Sequence, residues 1–135
     1  MKCLIVDDDS FGREMLRSIL AEYADTIDTA RDGAEALELF SQALAGGAPY
    51  DLVCLDILMP VMNGHDALKF MRGKEKEAGV RENREAVIVM TTALNSLEDI
   101  KEALWQGDCN NYLVKPVSRN DVQNLVLNYR LTNRP

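Results

Sequence analysis

The chain has 135 residues, 47% of them hydrophobic and 27% charged, which fits one folded domain and excludes global disorder. Its 15 Lys and Arg against 22 Asp and Glu leave a net charge of -7; that sign repels phosphate backbones, so no direct nucleic-acid binding is expected. No apolar run approaches the ~18 residues of a membrane helix, the N-terminal run stops at Asp7, and Cys3, Cys54 and Cys109 form no Cys-x-x-Cys pair. The expectation is a protein with no membrane segment, a reducing cytoplasmic compartment, and buried, inert thiols.

In chain order, short apolar runs lie at 3–6, 52–55, 87–90 and 112–114. They are too short for buried helices and too uniformly apolar for half-exposed strands, so they read as strands covered on both faces, as in a parallel sheet. A weaker, alternating run at 26–29 suits a sheet edge. Between the runs, apolar residues recur at helical spacing: Phe11, Met15, Ile19 and Tyr23; Leu37, Phe40 and Leu44; Leu68 and Met71; Leu97, Ile100 and Leu104; Val122, Leu125 and Tyr129. Ser96-x-x-Asp99 and Ser118-x-x-Asp121 have the pattern of capping boxes, and Asp32 and Asn63 of N-caps. The charged stretch 72–85 reads as a helix extension and a solvated loop. Strand and helix thus alternate about five times. That predicts an α/β fold: a doubly wound, five-stranded parallel sheet with helices on both faces.

Polar residues collect where the strands end. Asp7 and Asp8 follow the first strand, Asp56 the third, Thr91 and Thr92 the fourth, and Lys115 the fifth. In an open parallel sheet those ends face one crevice, where ligands bind. Taken singly, Asp8, Asp9 and Ser10 suit a helix cap, and Thr92 a helix start; caps, however, have no reason to line up with a lysine. Carboxylates ~4 Å apart repel by on the order of 1 kcal/mol in water and about 4 at an effective dielectric of 20. Such a cluster needs a cation or protonation. All-oxygen ligands suit Mg²⁺, and the absence of a His or Cys cluster argues against zinc. An acid cluster with Mg²⁺, an ammonium and a hydroxyl suits phosphoryl transfer, with Asp56 as nucleophile, Thr92 as hydrogen-bond donor, and Lys115 neutralising phosphoryl oxygens. His65 reads as a surface residue and Trp105 as half-buried packing.

Four segments now carry a resemblance: Leu4-Ile5-Val6-Asp7-Asp8-Asp9, Leu55-Asp56-Ile57-Leu58-Met59-Pro60-Val61-Met62-Asn63-Gly64, Met90-Thr91-Thr92-Ala93 and Tyr112-Leu113-Val114-Lys115-Pro116. Their kinds, order and spacing resemble the response-regulator receiver domain of two-component signalling, over nearly the whole chain. The resemblance implies a flavodoxin-like strand order 2-1-3-4-5 and a receiver domain over 1–130 with a short tail at 131–135, either standing alone or as part of a longer protein. It implies that Asp56 takes a phosphoryl group from a sensor histidine kinase or a phosphotransfer protein. It implies Mg²⁺ held by Asp8 directly, by Asp7 through water, by Asp56, and by the backbone carbonyl of Leu58. Lys115 would pair with the phosphoryl group, the Lys115–Pro116 peptide would be cis, Thr92 would be the switch hydroxyl, and Tyr112 the aromatic that swings inward with it. Thr92 is chosen over Thr91 because Ala93 follows it.

The implied function is a signalling switch. Phosphorylation would alter the face made by the helix at 96–106, the last strand and the last helix, for binding a downstream protein or a second copy. The chain would catalyse its own phosphorylation and assist its own hydrolysis, without turning over a metabolite. Leu58 and Leu94, two positions after Asp56 and Thr92, cannot orient a water and imply a long-lived phosphoryl group. The turn at 107–111 is one residue longer than usual for the family. Rival readings stay open: a Mg²⁺-dependent phosphohydrolase with an aspartyl nucleophile, which usually places a second acid where Leu58 stands; a flavin carrier, whose phosphate Asp7-Asp8-Asp9 would repel; and a receiver that has lost its chemistry.

Overall fold

Buried parallel strands are apolar on both faces because helices cover both, and the strands here behave so. The computed structural model describes residues 1–59, 61–93, 98, 101, 104 and 108–134. Its elements in chain order are β1 (Lys2–Val6), α1 (Ser10–Leu20), β2 (Thr26–Ala30), α2 (Gly33–Ala45), β3 (Leu52–Asp56), α3 (Gly64–Glu77), β4 (Val87–Thr92), β5 (Asn111–Val114) and α4 (Arg119–Asn128), with 3₁₀ turns at Glu82–Arg84 and Leu131–Asn133. All strand pairs are parallel, in the order β2-β1-β3-β4-β5. The expected doubly wound sheet and its strand order are therefore what the chain adopts, with the weakly patterned β2 at an edge.

Each sheet face has its own core. Leu4, Val6, Val53, Leu55, Ile88 and Met90 pack against α2 and α3 through Phe40, Leu68 and Met71. Cys3, Ile5, Leu52, Cys54, Val87, Val89 and Leu113 pack against α1 and α4 through Leu20, Val122 and Leu125. Alternate residues of each strand thus serve opposite faces. Helix starts follow their caps. Asp9 caps α1, accepting from Phe11 N–H; Asp32 caps α2 and Asn63 caps α3; Ser118 and Asp121 form a reciprocal capping box on α4.

Several expectations fail instructively. The α1 stripe of Phe11, Met15, Ile19 and Tyr23 is only half right: Ile19 is buried and Tyr23, just past the helix, packs on the same core, but Phe11 and Met15 are 70% and 41% exposed and the helix buries Leu16 and Leu20 in their place. Spacing of i, i+4 is equally met by the row one position on, and only packing chooses between them. The stretch 72–85 is not simply a solvated excursion. Arg72 donates to Glu75 Oε1 at 2.7 Å, to Ala86 O at 2.9 Å, to Asp108 O at 2.7 Å and to Asn110 Oδ1 at 2.9 Å. Glu75, buried, also accepts from Ala86 N–H at 2.7 Å. This ion pair ties α3 to the turn before β5. Leu131 is buried and Arg134 donates to the Asp51 and Glu85 carbonyls, so the last residues fold back onto the domain. The cap at Ser96 and Asp99, the stripe at Leu97 and Ile100, and Leu94 and Trp105 lie outside the described residues; Leu104 packs on the α2/α3 side.

The three cysteines are free and buried. Burial pushes the Cys3 thiol up to about 12 and the Cys109 thiol up to about 11, and raises Cys54 as well, so the nucleophilic thiolate is suppressed.

Candidate functional site

Strand alternation aims the site. Asp7 extends the face of Cys3 and Ile5, Asp56 that of Leu52 and Cys54, Thr91 that of Val87 and Val89, and Lys115 that of Leu113, all toward α1 and α4. Register then sets the neighbours: Val6 pairs with Leu55, and Asp56 with Thr91. The side chains meet at the carboxyl end of the sheet. Lys115 Nζ lies 3.0 Å from Asp7 Oδ2 and 3.3 Å from Asp56 Oδ2. Asp7, Asp8 and Asp56 each place one carboxylate oxygen within 4.8 Å of the others, with Asp7 and Asp56 buried and Asp8 exposed. The Lys115–Pro116 peptide is cis.

The backbone around these groups is pinned. Asp9 N–H donates to Asp7 Oδ1 at 2.9 Å, and Arg13 Nη1 to the Asp7 carbonyl at 2.8 Å. Ile57 N–H donates to the Thr91 carbonyl at 3.3 Å, and Lys115 N–H to the Thr92 carbonyl at 2.8 Å. Gly64 is needed for space: a Cβ there would lie 2.3 Å from the Asp56 carbonyl oxygen. Gly12 serves likewise on α1, where a Cβ would lie 2.8 Å from Asp7 Oδ2. Sequence reading missed Arg13 and Gly12. Their signal, a guanidinium and a glycine in the first turns after the acid pair, has no meaning until the helix is docked.

The electrostatics reflect crowding. Burial pushes the Asp56 carboxyl up to about 6; the Lys115 charge pulls it down, and the Asp7 charge pushes it up again. Burial would lower the Lys115 ammonium, but its hydrogen bond to Asp7 and the charges of Asp56 and Asp7 outweigh that and hold it above its ordinary value. One ammonium against three carboxylates leaves the cluster short of positive charge. The donors are all oxygen, and a hard divalent cation answers that deficit.

Thr92 sits buried at the end of β4, its hydroxyl donating to the Ala93 carbonyl at 3.1 Å. Leu58 follows β3 and exposes 64% of its surface. Tyr112 on β5 is half-exposed. His65, in the first turn of α3, is partly exposed and outside the cluster. Among the described residues no helix is long and apolar enough to cross a membrane.

The likenesses to known proteins agree with this arrangement. The family model for the response regulator receiver domain matches residues 3–127. The chemotaxis protein CheY of Halobacterium salinarum is 34% identical over 123 residues, covering 91% of this chain and 91% of that protein. The receiver domain of Saccharomyces cerevisiae Ssk1, solved with the histidine phosphotransfer protein Ypd1, superposes with a TM-score of 0.81 at 29% identity, covering 100% of this chain and 92% of that one. The receiver domain of the Arabidopsis thaliana histidine kinase CKI1, solved with Mg²⁺ and BeF₃⁻, gives a TM-score of 0.80 at 26% identity, covering 96% and 89%. With two-component relatives on every side and the acid cluster, lysine and strand order in place, the chain belongs to the response regulator receiver domain family.

Proposed function

We propose that the protein is a phosphorylation switch in which Asp56 is the phosphoacceptor. The observation that carries this is Lys115 Nζ set 3.0 Å from Asp7 and 3.3 Å from Asp56, with Asp8 completing an oxygen cluster around the same point. The cluster suits Mg²⁺, which Asp8, Asp56 and the carbonyl of Leu58 would hold, with Asp7 acting through water. When bound, the ion supplies positive charge that offsets both the carboxylates and the incoming phosphoryl oxygens.

The chain's own residues do the rest. A carboxylate oxygen of Asp56 attacks the phosphorus of a phosphohistidine on a kinase or phosphotransfer protein. An O–P bond forms as the P–N bond breaks, and the imidazole nitrogen leaves with the electron pair and, once protonated, is a neutral histidine. Lys115 holds a phosphoryl oxygen by charge, as it holds the bare carboxylate beforehand. The new dianion draws in Lys115 and the Thr92 hydroxyl, which must turn away from Ala93. That movement repacks the segment after β4 and alters the face of β5 and α4, where Tyr112 and Leu127 offer exposed apolar surface to a downstream protein or a second copy. The helix expected at 96–106 would belong to that face; most of it lies outside the described residues. Leu58, exposed and apolar, stands where a phosphohydrolase of this chemistry would carry its second acid, which disfavours that reading.

The test is acetyl phosphate with and without Mg²⁺. Intact mass rises by one phosphoryl group in the wild type with the ion and stays unchanged in Asp56→Asn. Equal labelling of that variant refutes the assignment, and turnover of a generic phosphomonoester reinstates the hydrolase.

A further inference from the structure

Beside the acid cluster, between α1 and the segment after β5, lies a cavity of about 310 Å³ lined by Asp7, Gly12, Met15, Cys54, Thr91 and Lys115 among others. Thr91 is the unexpected member. The α1/α4 face of β4 runs Val87, Val89, Thr91. Threonine is the isostere of valine, so the hydroxyl is all that distinguishes this position from a third core valine. Thr91 is only 3% exposed, and its hydroxyl has no hydrogen-bond partner among the described residues. Burying a hydroxyl without a partner is costly. No enclosed side-chain nitrogen or oxygen among the described residues is left unpaired, so this oxygen opens onto the cavity.

Its surroundings say what it meets. Thr91 pairs in register with Asp56 on one side and Leu113 on the other. Lys115, next after Leu113 on the same face, reaches across β4 to Asp56 Oδ2 and Asp7 Oδ2, so its side chain passes over Thr91. An ammonium has three N–H groups. One donates to Asp7 Oδ2, a second is taken up by the ion pair with Asp56 Oδ2 at 3.3 Å, and the third has no acceptor among the described residues. An unused acceptor and an unused donor thus line one cavity, which has room for a water bridging the two.

We propose that Thr91 is a positioning residue for Lys115: its hydroxyl accepts, through one bridging water, from the third N–H of the ammonium and holds the charge over Asp56 for phosphoryl transfer. This rests on the reading of Asp56 as phosphoacceptor. It gives the two adjacent threonines separate tasks, Thr92 turning with the phosphoryl group and Thr91 fixing the lysine.

The experiment compares Thr91→Val and Thr91→Ser with the wild type in two measurements. In the metal-free protein, the ¹⁵N–¹H correlation of the Lys115 ammonium reports its exchange with water. The signal is expected in the wild type and Thr91→Ser and lost to fast exchange in Thr91→Val. In the second, labelling by acetyl phosphate at saturating Mg²⁺ slows about fivefold in Thr91→Val, the worth of one hydrogen bond, and recovers in Thr91→Ser, with Mg²⁺ affinity unchanged in both. Equal labelling rates in Thr91→Val and wild type, or equal slowing in both variants, overturn the proposal. A wild type that is never labelled, with the lysine signal still dependent on the hydroxyl, removes the phosphoacceptor reading but leaves the Thr91–Lys115 contact standing.

Discussion

A Cβ placed on Gly64 would stand 2.3 Å from the carbonyl oxygen of Asp56 and 2.9 Å from Ile57 Cα. The first turn of α3 therefore rests directly on the backbone that carries Asp56, anchored by Gly64 N–H donating to the Ile57 carbonyl at 2.9 Å. The contact needs the absence of a side chain; φ at this glycine is one that any residue adopts.

Gly64→Ala should accordingly cost about 2–3 kcal/mol, the upper range for an overpacked site, and impair labelling of Asp56 because the carboxylate moves with its backbone. Gly73, in the same helix, has nothing within 4 Å of a Cβ. Gly73→Ala should stabilise by about 0.5–1 kcal/mol through helix propensity and chain entropy. Urea titration of the pair checks both signs at once.

Asp56 makes stability depend on pH. Its folded-state value of about 6 lies above its ordinary 3.8, so between those values the folded chain holds a proton that the unfolded chain has lost. Stability contributed by that proton is present at low pH and disappears as pH rises through about 6. Asp56→Asn should therefore melt higher than the wild type at about pH 7, with the advantage shrinking toward about pH 4. Mg²⁺ should raise the wild-type midpoint by binding the folded cluster and leave Asp56→Asn nearly unmoved. Thermal melts across this range, with and without the ion, decide it.

Arg72 and Glu75 form an ion pair with side chains 13% and 4% exposed. Arg72→Met leaves the buried Glu75 charge without its counter-ion and removes a donor from the Ala86 and Asp108 carbonyls and from Asn110 Oδ1, so a loss of about 3–5 kcal/mol is expected. Arg72→Lys should recover little, because one ammonium cannot span Glu75, the Ala86 and Asp108 carbonyls and Asn110 as the planar fork does. Denaturation midpoints of the two variants test this.

Leu58 is expected to set the lifetime of a phosphoryl group on Asp56. A leucine there cannot orient an attacking water, whereas Leu58→Asn offers an acceptor and a donor beside the acyl phosphate. Loss of the phosphoryl group, followed by intact mass after the donor is removed, should quicken several-fold. The fold should be undisturbed, since the side chain is mostly in solvent.

Much of this was legible in the chain. Apolar runs bounded by acids and threonines marked the strands and their carboxyl ends. Once the sheet is parallel, Asp7, Asp56 and Lys115 must reach one edge, because period-two alternation sends them to one face. Asp32, Asn63 and Ser118 declared their helices through local hydrogen bonds that need no tertiary context. What the sequence could not decide were matters of docking. Phe11 and Met15 matched a buried stripe as well as Leu16 and Leu20 did, and only α1 settling on the sheet chose between them. Arg72 and Glu75 looked like solvated charge because their partners, Ala86, Asp108 and Asn110, come from segments apart in the chain. Gly12 and Gly64 gained their meaning from atoms a helix turn or a strand away. Local propensity and alternation are written residue by residue; close approach, burial of a charge, and the choice between helix faces are properties of pairs that only the folded chain brings together.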